Sequence, residues 1–201
     1  TKIAGGLVDE TGAIIARTRR DTPSTDPSAI VDSIVSVVQE LRRGRSVDAV
    51  GVGSAGFVDA ARSTVLFAPN LAWRDVAVRD HVVAATELPV VVENDANAAA
   101  WGEFRFGAAE DVDDMVCVTV GTGIGGGLVL DGAVYRGAHG VGAELGHMRV
   151  VPNGHLCGCG NRGCLEQYAS GQAVVREARA IASVGSAFAA RLLELAGGDP
   201  E

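Results

Sequence analysis

Residues 121–137, GTGIGGGLVLDGAVYRG, decide the fold class. The first six match the G-x-G-x-x-G pattern of dinucleotide-binding loops. That pattern needs a helix directly after the loop, because the pyrophosphate sits on the helix N-terminus. Here LVLDGAVYRG follows, an alternating run interrupted by Asp131 and Gly132, which predicts strand, tight turn, strand. The Lys of a Walker loop is also absent. A glycine turn between strands can still present backbone N–H groups to an anion. Thr122 can add a hydroxyl to them. A plain tight hairpin accounts for the same residues equally well.

The pattern has an echo. AGGLVDETGAIIAR, residues 4–17, is a second Gly-Gly-Leu-Val hairpin with an acidic-glycine turn. One such hairpin opens each half of the chain, which predicts two related α/β halves facing each other across a cleft. Between them strands alternate with helices. A helix starts near Pro27, capped by Thr25 or Asp26, with Ile30, Ile34, Val37, Val38 and Leu41 on one face and Gly44 past its end. Buried strands are expected in VDAVGVGS and LPVVVE, and helices near 75–86, after ENDAN, and over 170–196. The acidic stretch 108–114 is the expected domain boundary, giving halves 1–110 and 111–201.

Composition narrows the function classes. The 201 residues carry 47% hydrophobic and 21% charged side chains, as soluble globular proteins do. A net charge of −8 argues against a general phosphate-backbone binder. No signal peptide is evident, and the uncharged run 115–130 is short and glycine-broken, so a cytoplasmic protein with reduced cysteines is expected. The chain opens mid-strand without Met and stops at AGGDPE, which reads as a piece of a longer protein.

Two further clusters carry chemistry. In ENDANAAAWGE a buried strand ends in Glu93, Asn94, Asp95 and Asn97. Helix capping needs only one such residue. Ligands of α/β proteins favour this end of the strands, so Asp95 is the candidate general base and Asn94 a hydroxyl-binding amide. In HLCGCGNRGCLEQY, residues 155–168, three of the four cysteines are spaced C-x-C-x4-C. This is not the C-x-x-C of redox sites. Three thiolates brought together by glycines favour zinc, which needs a fourth ligand; both His147 and His155 are candidates. Cys117 reads as core. Glu144 and Glu166 flank the cluster, and pinned carboxylates there suit a polyhydroxylated ligand. Trp73 and Trp101 read as packing residues, with stacking on a sugar as the other possibility.

Taken together, ENDANAAAWGE, VTVGTGIGGGLVLDGAVYRGAHGVGAELGHMRV and CGCGNRGCLEQYASG, in this order, resemble the ROK family of sugar kinases and sugar-responsive repressors. TKIAGGLVD resembles the end of that family's first phosphate loop, whose Asp-x-Gly-Gly would lie upstream of Thr1. SAGFVD and APNLAW resemble its sugar loops. The resemblance implies an actin-like, ribonuclease-H-like duplicated α/β fold. It implies ATP-dependent phosphorylation of a hexose, glucose first among them, at the 6-hydroxyl, with Mg²⁺ and with Asp95 as base. Gly56, Asn70, Asn94, Asp95, Glu144, His147 and Glu166 would hold the sugar. Thr1, Lys2, Gly121, Thr122 and Gly123 would face the nucleotide. Structural zinc would take His147, Cys157, Cys159 and Cys164, and a dimer or tetramer is implied. The alternative it carries is a sugar-responsive transcriptional repressor, with nucleic acid as partner only if a helix-turn-helix lies upstream. Lacking the first phosphate loop and the family's adenine-packing segment, these residues alone are expected to bind ATP poorly.

Overall fold

A computed structural model of the chain describes residues 2–23, 25–68 and 71–195. Contacts divide it into two compact units, Thr1–Cys117 with Gly127–Ala143, and Val118–Gly126 with Glu144–Glu201. The stretch 108–114 lies shortly before the first crossing, and the segment after Gly126 returns to the first unit.

The first unit opens with the hairpin expected from its glycines. Strand β1 (Lys2–Val8) pairs antiparallel with β2 (Ile14–Asp21). The Asp9 carboxylate closes the turn, accepting from the amides of Thr11 and Ala13 at 2.9 and 3.0 Å. Helix α1 (Pro27–Leu41) is capped by Asp26 rather than Thr25, whose carboxylate accepts from Ser28 N and Ala29 N. It buries Ile30, Val31 and Val37.

Strand β3 (Val50–Ser54) lies parallel to β7 (Val90–Asn94). Both were expected to be buried throughout, yet Gly51 and Gly53 of β3 and Val91 of β7 are exposed. The short strands β4 (Phe57–Val58), β5 (Val65–Ala68) and β6 (Trp73–Val76) form an antiparallel sheet. The helix expected from residue 75 therefore starts late. Residues 73–76 pair with β5, and Arg74 stacks its guanidinium 3.9 Å from the Phe67 ring. Helix α2 (Val78–Thr86) follows, and α3 (Asp95–Phe106) leaves β7 without a linker. The core joins these elements through Ile30, Val58, Val65, Trp73, Val82 and Val92. Trp73 is fully buried, with its indole N–H donating to Pro27 O at 3.3 Å, so its role is packing.

Strands β8 (Met115–Val120), β9 (Ile124–Leu130) and β10 (Ala133–Val134) form the second hairpin sheet in the order β10-β9-β8. Asp131 and Gly132 both have positive φ, 49° and 73°, the turn expected from an Asp-Gly pair. The second unit also holds a 3-10 turn over Leu145–His147, then α4 (Glu166–Ala169), α5 (Gly171–Ser183) and α6 (Ala187–Leu195). The single helical region expected over 170–196 is thus two helices, parted at Gly185 with φ 80°.

Candidate functional site

The strand end and helix start expected around ENDAN meet in an abrupt junction. Asn94 is both the last residue of β7 and the N-cap of α3. Its Oδ1 accepts from the amides of Ala96 (2.9 Å) and Asn97 (3.1 Å), and its Nδ2 donates to Gly56 O at 3.0 Å. One side chain therefore starts the helix and ties down the loop after β3. Gly56 must be glycine. Its φ is 98°, and a Cβ there would lie 2.2 Å from Phe67 O. Asp95 is exposed in the first turn of α3, where the helix dipole favours a carboxylate. Its Oδ1 accepts from Ala96 N at 3.0 Å, and its Oδ2 makes no hydrogen bond among the described residues.

Beneath this junction lies a charge cluster that the sequence reading did not assign. Glu93 is 9% exposed. Its Oε2 accepts from Arg136 Nε and Nη2 at 2.9 and 2.6 Å, with Arg62 Nε 3.3 Å away. Its Oε1 accepts from Asn97 Nδ2 and from the amide of Asn94. A carboxylate in a buried strand requires such partners. That requirement was the available signal, although it does not name the arginines. Of the other expected residues, Thr1 and Asn70 lie outside the described residues. Lys2 forms an ion pair with Asp21.

In the second unit, the glycine turn is braced by a helix start. Gly121 N donates to Gly123 O at 3.0 Å, and the amides of Gly171 and Gln172 donate to Gly121 O and Thr122 O. The amides of Thr122 and Gly123 have no acceptor among the described residues. Glu166 also reaches this turn, accepting from Ile124 N through Oε2 at 3.0 Å. The approach requires glycine at 123, where a Cβ would stand 2.4 Å from that oxygen.

The cysteine loop gathers four donors. The ligand atoms of His147, Cys157, Cys159 and Cys164 all lie within 4.8 Å of one another. His147 Nδ1 is 3.5 Å from Cys157 Sγ, and Cys159 Sγ is 3.7 Å from Cys164 Sγ. Tetrahedral zinc with bonds of about 2.0–2.3 Å separates its ligands by about 3.3–3.8 Å, so the set fits that ion. Of the two histidines left open by the sequence, His147 belongs to the cluster. His155 instead packs its ring 5.2 Å from that of Tyr168. The other nitrogen of His147 lies 3.9 Å from Glu144 Oε2, beyond hydrogen-bond reach. Burial and the neighbouring thiols Cys159 and Cys157 push the Cys164 thiol up to about 12. Burial also works to raise Cys159, but the Asn161 backbone N–H and hydrogen bonds from Cys157 and Cys164 outweigh it and hold its thiol below the usual value.

An α/β chain whose parallel strand pair ends in an acidic helix start, followed by a glycine-turn hairpin and a Cys3His loop, defines a class. The fold is the actin-like, ribonuclease-H-like one of sugar kinases. The ROK family model matches residues 1–196, and the chain belongs to the ROK family. It is 52% identical over all 201 residues to a glucokinase of Streptomyces coelicolor, 63% of which it covers. The crystal structure of a ROK family glucokinase from Streptomyces griseus, in complex with glucose and AMPPNP, superposes with a TM-score of 0.88 at 54% identity. That match covers 99% of this chain and 64% of the other. A xylose repressor of Bacillus subtilis is 35% identical over 179 residues, 87% of this chain and 46% of the repressor. The chain thus spans less than two thirds of the length of these relatives. Among the described residues, no helix is long and apolar enough to cross a membrane.

Proposed function

We propose that the chain is the sugar-binding part of an ATP-dependent hexose kinase acting on the 6-hydroxyl of glucose. The observation that carries this reading is the 52% identity to a glucokinase over all 201 residues. Asp95 is the proposed general base. Its exposed carboxylate accepts the proton of the sugar hydroxyl as that oxygen attacks the γ-phosphoryl group. Asn94 has one amide hydrogen beyond its bond to Gly56 and offers it to a neighbouring hydroxyl. Gly56 and Asn70 belong to the proposed sugar loops. In the second unit, Glu144, His147 and Glu166 are the proposed hydroxyl-binding groups. The amides of Thr122 and Gly123 support a phosphate contact. Mg²⁺ supplied with the nucleotide offsets phosphate charge.

Zinc would be held by His147, Cys157, Cys159 and Cys164. With four protein ligands it has no open position for catalysis. It therefore acts structurally, fixing the turn that carries Glu144 and His147 and the start of α4 that carries Glu166.

The likeness to xylose repressors supports a second reading, a sugar sensor without phosphoryl transfer. One experiment separates the two: ATP-dependent phosphorylation of a hexose panel by the whole protein and by its Asp95→Asn variant. The kinase reading expects turnover of glucose that falls about 10²–10⁴-fold in the variant. Sugar binding without turnover would support the sensor.

A further inference from the structure

We propose that Glu93 is a positioning residue for phosphoryl transfer: its carboxylate, anchored by Arg136 and Arg62, holds the residues on either side of Asp95 and so aims the base. The inference rests on the kinase reading and adds to it a residue that acts through Asp95. The two oxygens of Glu93 divide the work. Oε2 faces the cations, Arg136 through Nε and Nη2 at 2.9 and 2.6 Å and Arg62 through Nε at 3.3 Å. Oε1 accepts from Asn94 N at 3.2 Å and from Asn97 Nδ2 at 3.3 Å. Those donors stand immediately before Asp95 and one turn into the helix that it opens.

Local structure explains why each donor needs this carboxylate. Val92 N donates to Arg62 O at 3.0 Å, on the edge of β7 that faces away from β3. By alternation Asn94 N faces the same edge, outside the β3 ladder, and takes the Glu93 side chain as its acceptor. Asn97 is 2% exposed, and its Oδ1 has no partner among the described residues. A polar side chain so buried and half satisfied carries a cost that an apolar residue at this helix position would avoid. What the Asn97 amide does there is donate to Glu93. The anchors are themselves fixed. Arg62 stands in a left-handed turn, φ 56°, where the Asp59 carboxylate accepts from Ser63 N and Thr64 N at 2.7 and 3.0 Å. Arg136 lies just past β10 and donates through Nη1 to Val134 O at 3.1 Å.

The clamp matters more to Asp95 than to Asn94. The Asn94 side chain has bonds of its own, to Ala96 N, Asn97 N and Gly56 O. The Asp95 carboxylate has one, from Ala96 N. Loosening Glu93 therefore misplaces the base while leaving the hydroxyl-binding amide where it is. The loss falls on the transition state, in which the base acts, and not on sugar binding. A misplacement of about 1 Å costs about 10²-fold in rate.

The test is steady-state kinetics of the whole protein with glucose and ATP, on variants that keep the wild-type circular dichroism spectrum. Glu93→Gln preserves size and removes the charge. It is expected to lower kcat about 10–100-fold and to change the glucose KM by less than about threefold. Added to Asp95→Asn, it is expected to cost less than about threefold more, because a base that has been removed cannot be misaimed. Arg136→Lys keeps the charge but offers one nitrogen in place of two. It is expected to lower kcat about three- to tenfold at unchanged KM, and it decides the matter where Glu93→Gln does not fold. A kcat within about twofold of wild type in the variant that folds, a rise in KM in place of a fall in kcat, or an additive loss in the double variant would each overturn the proposal. No turnover by the unmodified protein would sink the kinase reading and this inference together, whereas turnover that survives Glu93→Gln sinks this inference alone.

Discussion

Arg136 grips a single carboxylate oxygen of Glu93 with two nitrogens, Nε at 2.9 Å and Nη2 at 2.6 Å, across 43 residues of sequence. The same carboxylate accepts from the Asn94 amide and from Asn97 Nδ2. The segment after β10 is thereby fastened to the strand that delivers Asn94 and Asp95. Removing one partner from a buried pair leaves an uncompensated charge, at about 3–5 kcal/mol. Arg136 is 27% exposed, which lowers the expectation. Arg136→Met is expected to cost about 2–3 kcal/mol in urea unfolding. A loss below about 0.5 kcal/mol would place the pair with ordinary surface pairs. Arg62→Met is expected to cost less, because Arg62 lies 3.3 Å from the carboxylate and is 37% exposed.

Asn94 has two separable jobs. Its carbonyl oxygen caps α3, and its amide nitrogen holds Gly56 O. Asn94→Asp keeps an acceptor for the cap but sets a carboxylate against the Gly56 carbonyl. Asn94→Ala loses all three bonds, two of the cap and one to Gly56. The alanine variant is expected to lose about 2 kcal/mol, roughly one from the cap and one from the carbonyl left unsatisfied. The aspartate variant is expected to retain most of its helix stability while the loop at Gly56 loosens, seen as faster amide exchange there with little change in α3.

Local chemistry was legible in the sequence, and long-range pairing was not. Asp131–Gly132 and the turn near Gly12 gave both hairpins, because their conformations are set within a few residues. The cysteine spacing pointed to a cluster of donors able to hold a metal, but spacing alone left His147 and His155 open. The convergence of His147 with the three cysteines decides between them, while His155 packs on Tyr168. Residues 75–76 were read as helix because WRDV carries no strand period, and its pairing with β5 supplies what propensity does not. The junction at Asn94 was legible as a strand end running into a helix, but the separate tasks of its four polar residues were not. In the structure they serve a cap, a buried ion pair and an exposed carboxylate. The partners of Glu93 come from 31 residues upstream and 43 downstream, beyond the reach of any local pattern.

Glu166 and Gly123 form a second separable test. The first atom a Cβ at 123 would meet is the far end of the Glu166 side chain, at 2.4 Å. Gly123→Ala therefore displaces the carboxylate without moving backbone. Its stability cost is expected to be only about 1 kcal/mol, the net loss of the bond from Ile124 N. On the proposed function, the same variant weakens hexose binding as much as Glu166→Ala does, measured by calorimetry. If Gly123→Ala leaves hexose affinity unchanged while Glu166→Ala abolishes it, the carboxylate does not need its bond to the glycine turn.

Metal binding carries a pH signature with a definite sign. Cys164 in the metal-free protein holds its proton up to about 12, against 9.0 for a free thiol. A metal must expel that proton to bind sulfur, so apparent zinc affinity is expected to rise with pH from 5 to 8. The heat of binding should then vary with buffer ionisation enthalpy. In the metal-free protein the sign is opposite. The folded state holds the proton more tightly than the unfolded state does, so the contribution of Cys164 is fully present below pH 9 and is lost as pH rises through about 12. One zinc per chain is expected by elemental analysis under reducing conditions. His147→Ala and Cys157→Ser lower that ratio, and His155→Ala leaves it at one. Zinc retained by His147→Ala and lost from His155→Ala would reverse the ligand assignment drawn from the 3.5 Å approach of His147 to Cys157.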